Sequence, residues 1–554
     1  MNMEDVRVVG AAPLIRAMCE AIGLVEIIDT QVPWDERRCK LSPGQCIMAL
    51  ILNILTSRQP IYRVWESFED TDIELLLGEG VSLEDLNDDA FGRALEKLQA
   101  AGACKIFSMI TSSALTREEA EIQFMHWDST TRSLYGQYPE GGTNGSVRPA
   151  RGHSKDNRPD LMQIVLTLLV NREGIPLYGE IKDGNTSDKK ANGEMVKELC
   201  RMFSPEELCH LVYVADSALI SGPNLRLMHK IGLSFLSRLP ETFNACGEAK
   251  AAAWDDGVWT ILGQLSPRRG AAEYFSSEQK ATIEGEEYRL VVYHSSHLDK
   301  LKAKSLEREL TARRETLEKE AVALAKLSFA CVVDAQAAAD AWLKKHAGAL
   351  HPLTAVVQEV QEKQKQGHRG RPHKGEEPSY ETVYRLRPEV GVPTMEQIAA
   401  EHKRRSTFVL ITPLPAAEFP ARRLLEEYKN QTSVEKRFQF LKDPAFVDAF
   451  FLHKPERIEA LGYVLLLACL VFSLLERRVR RSGQPLISPS RGRLDNPTGL
   501  EILRHIKSAK VAPVGRLKRA VAVSPSFRTA FYSILAMAGF DDSIYTTVPA
   551  RKSG

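Results

Sequence analysis

The chain has 554 residues, more than one hydrophobic core usually organises, so about two to four domains of roughly 100 to 200 residues each are expected. Apolar residues make up 44% and charged residues 26%, a balance typical of globular proteins that excludes disordered, collagenous and fibrous classes. Because 73 basic residues stand against 72 acidic ones, a surface that binds nucleic acid would require local segregation of charge.

The first 118 residues are predicted to form a helical N-terminal domain. Apolar residues recur there at spacings of three and four from Ala12 to about Leu115. One of the predicted helices follows an Asp/Asn cap and carries Arg93 and Lys97 on an amphipathic surface. Two interpretations stay open: a helical module that binds DNA, and a packing or dimerisation domain with an ordinary solvated face.

Residues 119–239 are predicted to form the first part of an α/β core. From Glu121 the apolar period changes from helical to alternating, so that Phe124, His126 and Asp128 share one face of a strand. The elements that follow are a hairpin of Leu161–Val170 and Ile175–Ile181, a helix from Ser187 or Asp188 to about Phe203, a strand over Leu211–Asp216, a helix over Gly222–Ile231 and a strand over Leu233–Ser237. Two of these strands end in a carboxylate.

The second half of the chain is predicted to hold an insertion, the rest of the core and a tail. Residues 240–405 combine short strands, an Ala/Glu/Lys/Arg-rich helical stretch and a basic, Gly-rich connector over Gln358–Pro378, which predicts an α+β insertion domain. Residues 406–481 return to sheet and then to helix, completing the core. Residues 482–554 carry many Arg and Lys residues, which favours a tail that contacts DNA or supports dimerisation.

Three acidic residues stand where acids are poorly suited unless they serve a site. Asp128 ends an amphipathic strand, Asp216 closes an apolar strand, and Glu435 lies inside a helix after the last strand. Each has an ordinary explanation alone: a turn, a helix cap and a solvated helix residue. Together they would repel one another, and a divalent cation resolves the repulsion because carboxylate oxygens hold Mg²⁺ while leaving positions open for phosphate oxygens and water.

The segment Tyr428–Lys442 resembles the Y-x2-R-x3-E-x6-K signature of DDE transposases from bacterial insertion sequences, in the superfamily with an insertion before the catalytic Glu. Tyr428, Glu435 and Lys442 match the signature in type and spacing. Gln431 stands at the Arg position and departs from the signature at a residue that contacts phosphate in the family.

Three further blocks carry the same resemblance. His126–Thr131 and Val214–Ala218 resemble the segments around the first and second catalytic Asp, and Gly184–Asp188 resembles the G-N-x-x-D element that often lies between them. The resemblance covers roughly residues 121–238 and 407–480. It implies an α/β fold with an RNase H-like mixed-sheet catalytic core, interrupted by the insertion.

The resemblance also implies an activity and a site. Asp128, Asp216 and Glu435 would hold two Mg²⁺ ions, with Mn²⁺ as a substitute and Asp128 between both ions. The reaction would be cleavage at the ends of an insertion sequence, followed by transfer of the 3′-hydroxyl into target DNA. The implied partners are the terminal inverted repeats, the target DNA and a second copy of the chain in a homodimeric synaptic complex.

Several residues are predicted to contact DNA. Lys442, two helical turns from Glu435, would contact a phosphate, with a solvated lysine as the alternative. Tyr428 would pack on a sugar or bind a phosphate, with a core tyrosine as the alternative. His153, Lys155 and Arg158 in the basic loop before the hairpin would guide DNA towards Asp128. The alternative for these three residues is an ordinary solvated loop. The full set is Tyr428, Gln431, Lys442, His153, Lys155 and Arg158.

Two rival functions remain: a domesticated relative that only binds DNA, and an RNase H-like nuclease that cuts without strand transfer.

No P-loop or dinucleotide glycine pattern occurs, so no nucleotide cofactor is expected. The nine cysteines contain no C-x2-C pair, and Met1–Gly10 lacks the pattern of a secretory signal. A bacterial or archaeal cytoplasm, in association with the nucleoid, is the expected location. The longest largely apolar run, Leu461–Leu475, is expected to be a buried helix and not a membrane span.

Overall fold

The computed structural model describes residues 6–37, 39–134, 138, 146–155, 158–266, 269–363, 379–442 and 454–550. The chain forms two compact units. The first combines Met1–Arg238 with Thr412–Gly554, and the second is Leu239–Ile411. Asp128, Asp216 and Glu435 all belong to the first unit.

The N-terminal part of the first unit is helical. Local sequence sets where the helices begin: Ser42 and Gln45 exchange hydrogen bonds in a capping box before the third helix, and the Asn87 side chain accepts from the Ala90 N–H before the fifth. The elements are β1 (Arg7–Val8), α1 (Ala12–Ala21), α2 (Leu24–Gln31), α3 (Pro43–Leu55), α4 (Ile73–Leu77), α5 (Asp88–Ala100) and α6 (Ala103–Arg117).

A mixed sheet with three associated helices follows, and the predicted α/β class is confirmed. The elements are β2 (Phe124–Leu134), β3 (Met162–Asn171), β4 (Pro176–Asp183), α7 (Asp188–Met202), α8 (Pro205–Leu208), β5 (Val212–Ala215), α9 (Gly222–Ile231) and β6 (Ser234–Arg238). In the first unit the strand order is β4-β3-β2-β5-β6. The pairs β4–β3 and β3–β2 are antiparallel, whereas β2–β5 and β5–β6 are parallel. This arrangement agrees with the mixed sheet expected of the core.

The second unit contains both helices and strands. Its elements are α10 (Asn244–Asp256), β7 (Thr260–Gln264), β8 (Glu273–Ile283), β9 (Glu286–Ser295), α11 (Ser296–Ala325), β10 (Ser328–Phe329), α12 (Val332–Lys345), β11 (Leu353–Lys363), β12 (Tyr380–Val390), α13 (Met395–Ser406) and β13 (Thr407–Thr412). The prediction of a connector over Gln358–Pro378 is wrong at its start. Gln358–Lys363 continue β11 and pair with β12 up to Tyr380, so the hairpin extends into the polar segment. Residues 364–378 lie outside the described residues.

The C-terminal part returns to the first unit. Its elements are α14 (Ala421–Lys429), α15 (Thr432–Lys442), α16 (Pro455–Arg481), β14 (Leu486–Ser488), β15 (Gly492–Leu494), α17 (Gly499–Ile506), β16 (Lys510–Pro513), β17 (Arg519–Ala522), α18 (Pro525–Met537) and α19 (Ser543–Thr546). The segment predicted as a tail is folded over most of its length, since β16 pairs with β1 and β17, and Phe531 and Tyr545 are fully buried.

Helix α16 lies at the centre of the first unit. It is buried over most of Ile458–Val479 and packs against α1, α3, α5, α6 and β4. By length and composition it could cross a membrane, but 89% of its most apolar window is buried inside the protein. The N-terminal helices and the sheet thus share one hydrophobic core. The assignment of residues 1–118 to a separate domain stays a prediction.

Gly184 ends β4 and opens the turn that leads to α7. A Cβ atom at this position would overlap the backbone oxygens of Gln163 and Ala150. The site is crowded because Ala150 and Gln163 form a bridge, and the Gln163 amide donates to the Gly184 carbonyl at 2.7 Å. Only a residue without a side chain fits between these segments.

We expect Gly184→Ala to destabilise the protein by about 1 to 3 kcal/mol or more, because the overlapping atoms are backbone and cannot rotate away. The measurement is the thermal unfolding midpoint of the full chain. Gly515→Ala is the matched control, since the nearest atom to a Cβ there is the Lys518 Cβ at 3.8 Å. Equal midpoints for the two variants would contradict the close packing at Gly184.

Candidate active site

Two of the three predicted carboxylates lie side by side in the sheet. The prediction that the first strand ends at Asp128 is wrong, because β2 stays paired with β3 as far as Leu134, whereas Asp216 directly follows β5. Strands β2 and β5 are parallel neighbours, and His126 on β2 is opposite Val214 on β5. Asp128 follows His126 by two residues, and Asp216 follows Val214 by two residues. Residues displaced equally along parallel strands stay side by side, so the register brings these two carboxylates together.

Asp128 is held in a partly buried position on β2. Its side chain is 24% exposed, and its Oδ1 atom accepts a hydrogen bond of 2.7 Å from the Ser129 N–H. Burial raises the pKa of Asp128 to about 6, and the negative charges of Asp216 and Asp188 add to the rise. Lys155, whose Nζ lies 3.8 Å from Oδ1, acts in the opposite direction.

Asp216 follows β5 and caps the 3₁₀ turn Ser217–Leu219. Its Oδ1 accepts from the Ala218 N–H at 3.1 Å, and its backbone carbonyl accepts from the Ser237 hydroxyl at 2.8 Å. Burial raises the pKa of Asp216, and the charge of Asp188 contributes in the same direction. The capping role expected of an ordinary aspartate is therefore present, but it occupies only one carboxylate oxygen.

A fourth carboxylate, Asp188, belongs to the same cluster. Lys155 Nζ lies 3.2 Å from Asp188 Oδ2, and it donates to the Ser129 carbonyl at 2.7 Å and to the Ser129 hydroxyl at 2.9 Å. The Ser129 hydroxyl in turn donates to Asp188 Oδ1. The only sequence signal for Asp188 is its place in the G-N-x-x-D element, and the sequence does not single it out as a site residue.

The loop predicted to guide DNA contributes one side chain to this cluster. The ammonium of Lys155 is bound between Asp128 and Asp188 and is 29% exposed. Arg158 makes a two-bond contact with exposed Asp160, at 2.9 and 2.7 Å. His153 is exposed. The DNA contacts of these three residues stay predictions, and for Lys155 the carboxylates are already its partners.

The third predicted carboxylate, Glu435, is exposed on α15, a helix that packs against β2 and β3. Tyr428, at the end of α14, interacts electrostatically with Glu435 and with Asp216. Burial raises the pKa of Tyr428, the Arg238 guanidinium opposes this, and the charges of Asp216 and Glu435 both add to the rise. Tyr428 is thus close to both carboxylates.

The remaining predicted DNA contacts, Gln431 and Lys442, lie at the two ends of α15. Gln431 precedes α15, and its backbone carbonyl accepts from the Glu435 N–H at 3.3 Å. Lys442 ends α15, and its side chain lies outside the described residues.

The donor set fits a hard divalent cation. Asp128 and Asp216 offer partly buried carboxylate oxygens whose charges are unfavourable to one another, and a bound cation would remove that repulsion. Within the part of the chain that the structure describes, no three His, Cys, Asp or Glu side chains lie close enough together to hold one ion. Participation of Glu435 as a third ligand therefore stays a prediction.

His126 lies beneath Asp128 on the same face of β2 and is completely buried. Neither of its ring nitrogens has a hydrogen-bond partner among the described residues. Burial, and then the charge of Arg172, lower the pKa of His126 to about 4, so the ring is neutral near pH 7. A neutral imidazole here adds no positive charge to the carboxylates above it.

Comparison with known proteins gives three findings. Residues 4–112 match a family described as a domain of unknown function, DUF4277. None of the curated proteins matches the sequence. The fold is similar to the piggyBac transposase in a cryo-EM structure of its synaptic complex with hairpin DNA, with a TM-score of 0.36, 10% identity, and coverage of 90% of this chain and 80% of that chain. A likeness at this level does not establish a shared function.

The raised pKa of Asp128 predicts a pH-dependent stability. The folded state keeps the Asp128 proton to higher pH than the unfolded state does, so the stability linked to this proton is lost as the pH rises from about 4 to about 6. We expect Asp128→Asn to raise the unfolding midpoint at pH 7.5 in EDTA, by an amount equivalent to at most about 3 kcal/mol, and to have little effect at pH 4.

The measurement is thermal unfolding of the full chain at both pH values. Asp70→Asn is the control, because Asp70 is an exposed aspartate outside the cluster. A midpoint difference between Asp128→Asn and wild type that is the same at pH 4 and pH 7.5 would show that burial does not hold the Asp128 proton.

Proposed function

We propose that this protein is a DDE transposase that cleaves the ends of an insertion sequence and transfers the freed 3′-hydroxyl into target DNA. The observation that carries the proposal is the juxtaposition of Asp128 and Asp216 at one end of the parallel strands β2 and β5. Support also comes from helix α15, which follows them in the chain and carries Glu435. The spacing of Tyr428, Glu435 and Lys442 is that of the family signature.

Asp128, Asp216 and Glu435 would hold two Mg²⁺ ions, and Mn²⁺ would substitute. When bound, such ions lower the pKa of an attacking water or 3′-hydroxyl and stabilise the leaving 3′-oxygen. Asp128 supplies hard oxygen donors from within β2 and Asp216 supplies them from the end of β5, and the pairing of these strands limits how far the two can move apart. Glu435 approaches from a helix, so its distance from the other two depends on how α15 packs against β2.

Lys155 has a positioning role in this proposal. Its ammonium opposes the rise in the pKa of Asp128 and thereby favours the ionised form that binds a cation. Asp188 and Ser129 fix the ammonium in place through the contacts described above. Tyr428, close to Asp216 and Glu435, is placed to contact the DNA strand at the site.

The partners in this proposal are the terminal inverted repeats and the target DNA, bound by a homodimer in a bacterial or archaeal cytoplasm. Helix α5 is the candidate reader of the terminal repeats. Arg93 on this helix is exposed and lies 3.9 Å from Asp89 in a surface ion pair, which is weak enough to exchange for a phosphate. Phosphate contacts position a protein on DNA, and only contacts to base edges select the sequence.

We expect Asp128→Asn, Asp216→Asn and Glu435→Gln each to abolish Mn²⁺-dependent nicking of terminal-repeat DNA while leaving binding of that DNA largely intact. An amide keeps the shape of the carboxylate but loses the charge that holds the cation. The decrease in nicking should exceed the roughly 10- to 100-fold effect typical of residues that only support a metal ligand.

The measurement uses purified full-length protein, labelled terminal-repeat DNA and a plasmid target, with Asp70→Asn as a control expected to keep full activity. If any one of the three variants nicked DNA at the wild-type rate, the substituted residue would not be a metal ligand. Binding without nicking by the wild-type protein would favour the domesticated DNA-binding relative. Nicking without joining to the plasmid would favour the stand-alone nuclease.

A further inference from the structure

A second feature of the first unit is a positively charged cavity beside α15. Its volume is about 290 Å³. The end of β3, the start of α15 and the end of α16 form its walls. We call it the arginine pocket, and its six cationic wall residues are Arg172, Lys436, Arg437, Arg477, Arg480 and Arg481.

The acidic residues in the wall do not balance these cations. Among the described residues of the wall, the acidic ones are Glu173 and Glu476. Glu476 Oε1 is shared by Arg437, at 3.1 Å, and Arg480, at 2.6 Å, and its Oε2 accepts from the Gly499 N–H at 2.8 Å. Glu173 is bound by Arg477 at 2.7 Å. Both wall carboxylates are therefore engaged by cations of the same wall.

Two of the cations face solvent without an acidic partner. Lys436 and Arg481 are exposed, and neither has an ion pair with any residue that the structure describes. The contact made by Arg481 is a long hydrogen bond of 3.5 Å to the Glu118 carbonyl. The wall thus holds more positive charge than its own carboxylates neutralise.

The deeper guanidinium groups are buried and fixed. The side chains of Arg437 and Arg477 are 7% and 5% exposed. Arg437 donates to the Gly174 carbonyl and Arg477 to the Glu118 carbonyl, both at 2.9 Å. Guanidinium groups held in this way present their remaining N–H donors without the entropic penalty of ordering a flexible side chain.

The pocket also contains neutral hydrogen-bond donors. The Ser433 hydroxyl in its wall is buried and has no hydrogen-bond partner in the described residues. Thr432 in the same wall is the first residue of α15. Buried hydroxyl groups in proteins are almost always paired, and an anion bound in the pocket would pair this one.

We propose that the arginine pocket binds a phosphate group of a DNA strand and thereby holds that strand beside Glu435. Guanidinium forks, an ammonium group and a hydroxyl together match the oxygens of a phosphate. Thr432, Ser433 and Lys436 lie within one helical turn, about 5.4 Å along the axis, of Glu435. The identity of the phosphate as DNA rests on the proposed function, whereas the existence of an anion pocket does not.

The pocket gives a physical account of the departure at Gln431. The family signature has a cation at that position, directly before the helix that carries the catalytic Glu. In this chain the cations are instead supplied by Lys436 on α15 and by Arg480 and Arg481 on α16.

The test uses the full chain with the double substitution Lys436→Ala and Arg481→Ala. Both residues are exposed and outside the buried ion pairs, so folding is not at risk. The control is Lys230→Ala with Arg201→Ala, which removes the same charge from exposed positions on helices α9 and α7 of the first unit. Binding of a 20-nucleotide duplex and of inorganic phosphate is measured in EDTA, by fluorescence anisotropy and by thermal shift, respectively.

We expect the double variant to bind the duplex at least about tenfold more weakly than wild type and the control. The slope of log affinity against log salt should fall by about 0.9 for each phosphate that the variant no longer neutralises. Inorganic phosphate should raise the unfolding midpoint of wild type and control, and not that of the double variant.

Two results would overturn the inference. Equal DNA affinity of the double variant and the control would exclude a DNA phosphate, even if inorganic phosphate still stabilised only the wild type and control. Equal phosphate stabilisation of all three proteins would exclude the pocket itself. Because no step of this test requires cleavage, a wild-type protein that never nicks DNA would refute the proposed function and leave the phosphate pocket standing.

Discussion

The burial of α16 is the constraint on which the first unit depends. Its apolar residues between Ile458 and Val479 are shared among the N-terminal helices, strand β4, and helices α17 and α18. Each fully buried aliphatic side chain contributes about 1.5 to 3 kcal/mol of transfer free energy, so no other helix of this unit has a comparable influence on the core. Residues 1–118 alone would leave the faces of α3 and α5 that pack on α16 exposed to water.

The charged end of α16 converts this packing into a defined geometry. Arg477 and Arg478 both bind Glu118 at the end of α6, at 3.3 and 2.6 Å, and Arg477 also binds Glu173 at the end of β3. Removing one partner of a buried ion pair leaves an uncompensated charge, with a penalty of about 3 to 5 kcal/mol. The end of β3 is therefore held at the end of α16, which is where the arginine pocket forms.

Elements with a strong local period could be predicted from the sequence, and features made by distant residues could not. Strands β2 to β6 show alternation or short apolar runs, so Asp128 could be placed on a strand and Asp216 at the end of another, although β2 continues past Asp128 to Leu134. The fold of the C-terminal segment depends on β16 pairing with β1, roughly the whole chain length away. No local pattern signals a partner at that separation.

The predicted and unpredicted parts of the site differ in the same way, in whether their residues are close together in the sequence. The carboxylates were accessible to prediction because each stands in a short, recognisable block. The Ser129, Lys155 and Asp188 cluster joins three segments with no common motif, and only the register of β2 and the turn after β4 brings them together. The arginine pocket likewise draws its residues from three separate elements.

Helix α15 adjoins two regions of opposite charge, and under the proposed function this would separate DNA binding from DNA cleavage in energetic terms. The carboxylates Asp128, Asp216 and Asp188 repel a phosphate backbone, with Lys155 as their nearby cation. The arginine pocket attracts the same backbone and needs no metal to do so. Attraction by the pocket and repulsion by the carboxylates would hold a strand near Glu435 but away from Asp128 until a cation neutralises the acidic cluster. The charge distribution therefore favours binding of DNA before assembly of the metal site.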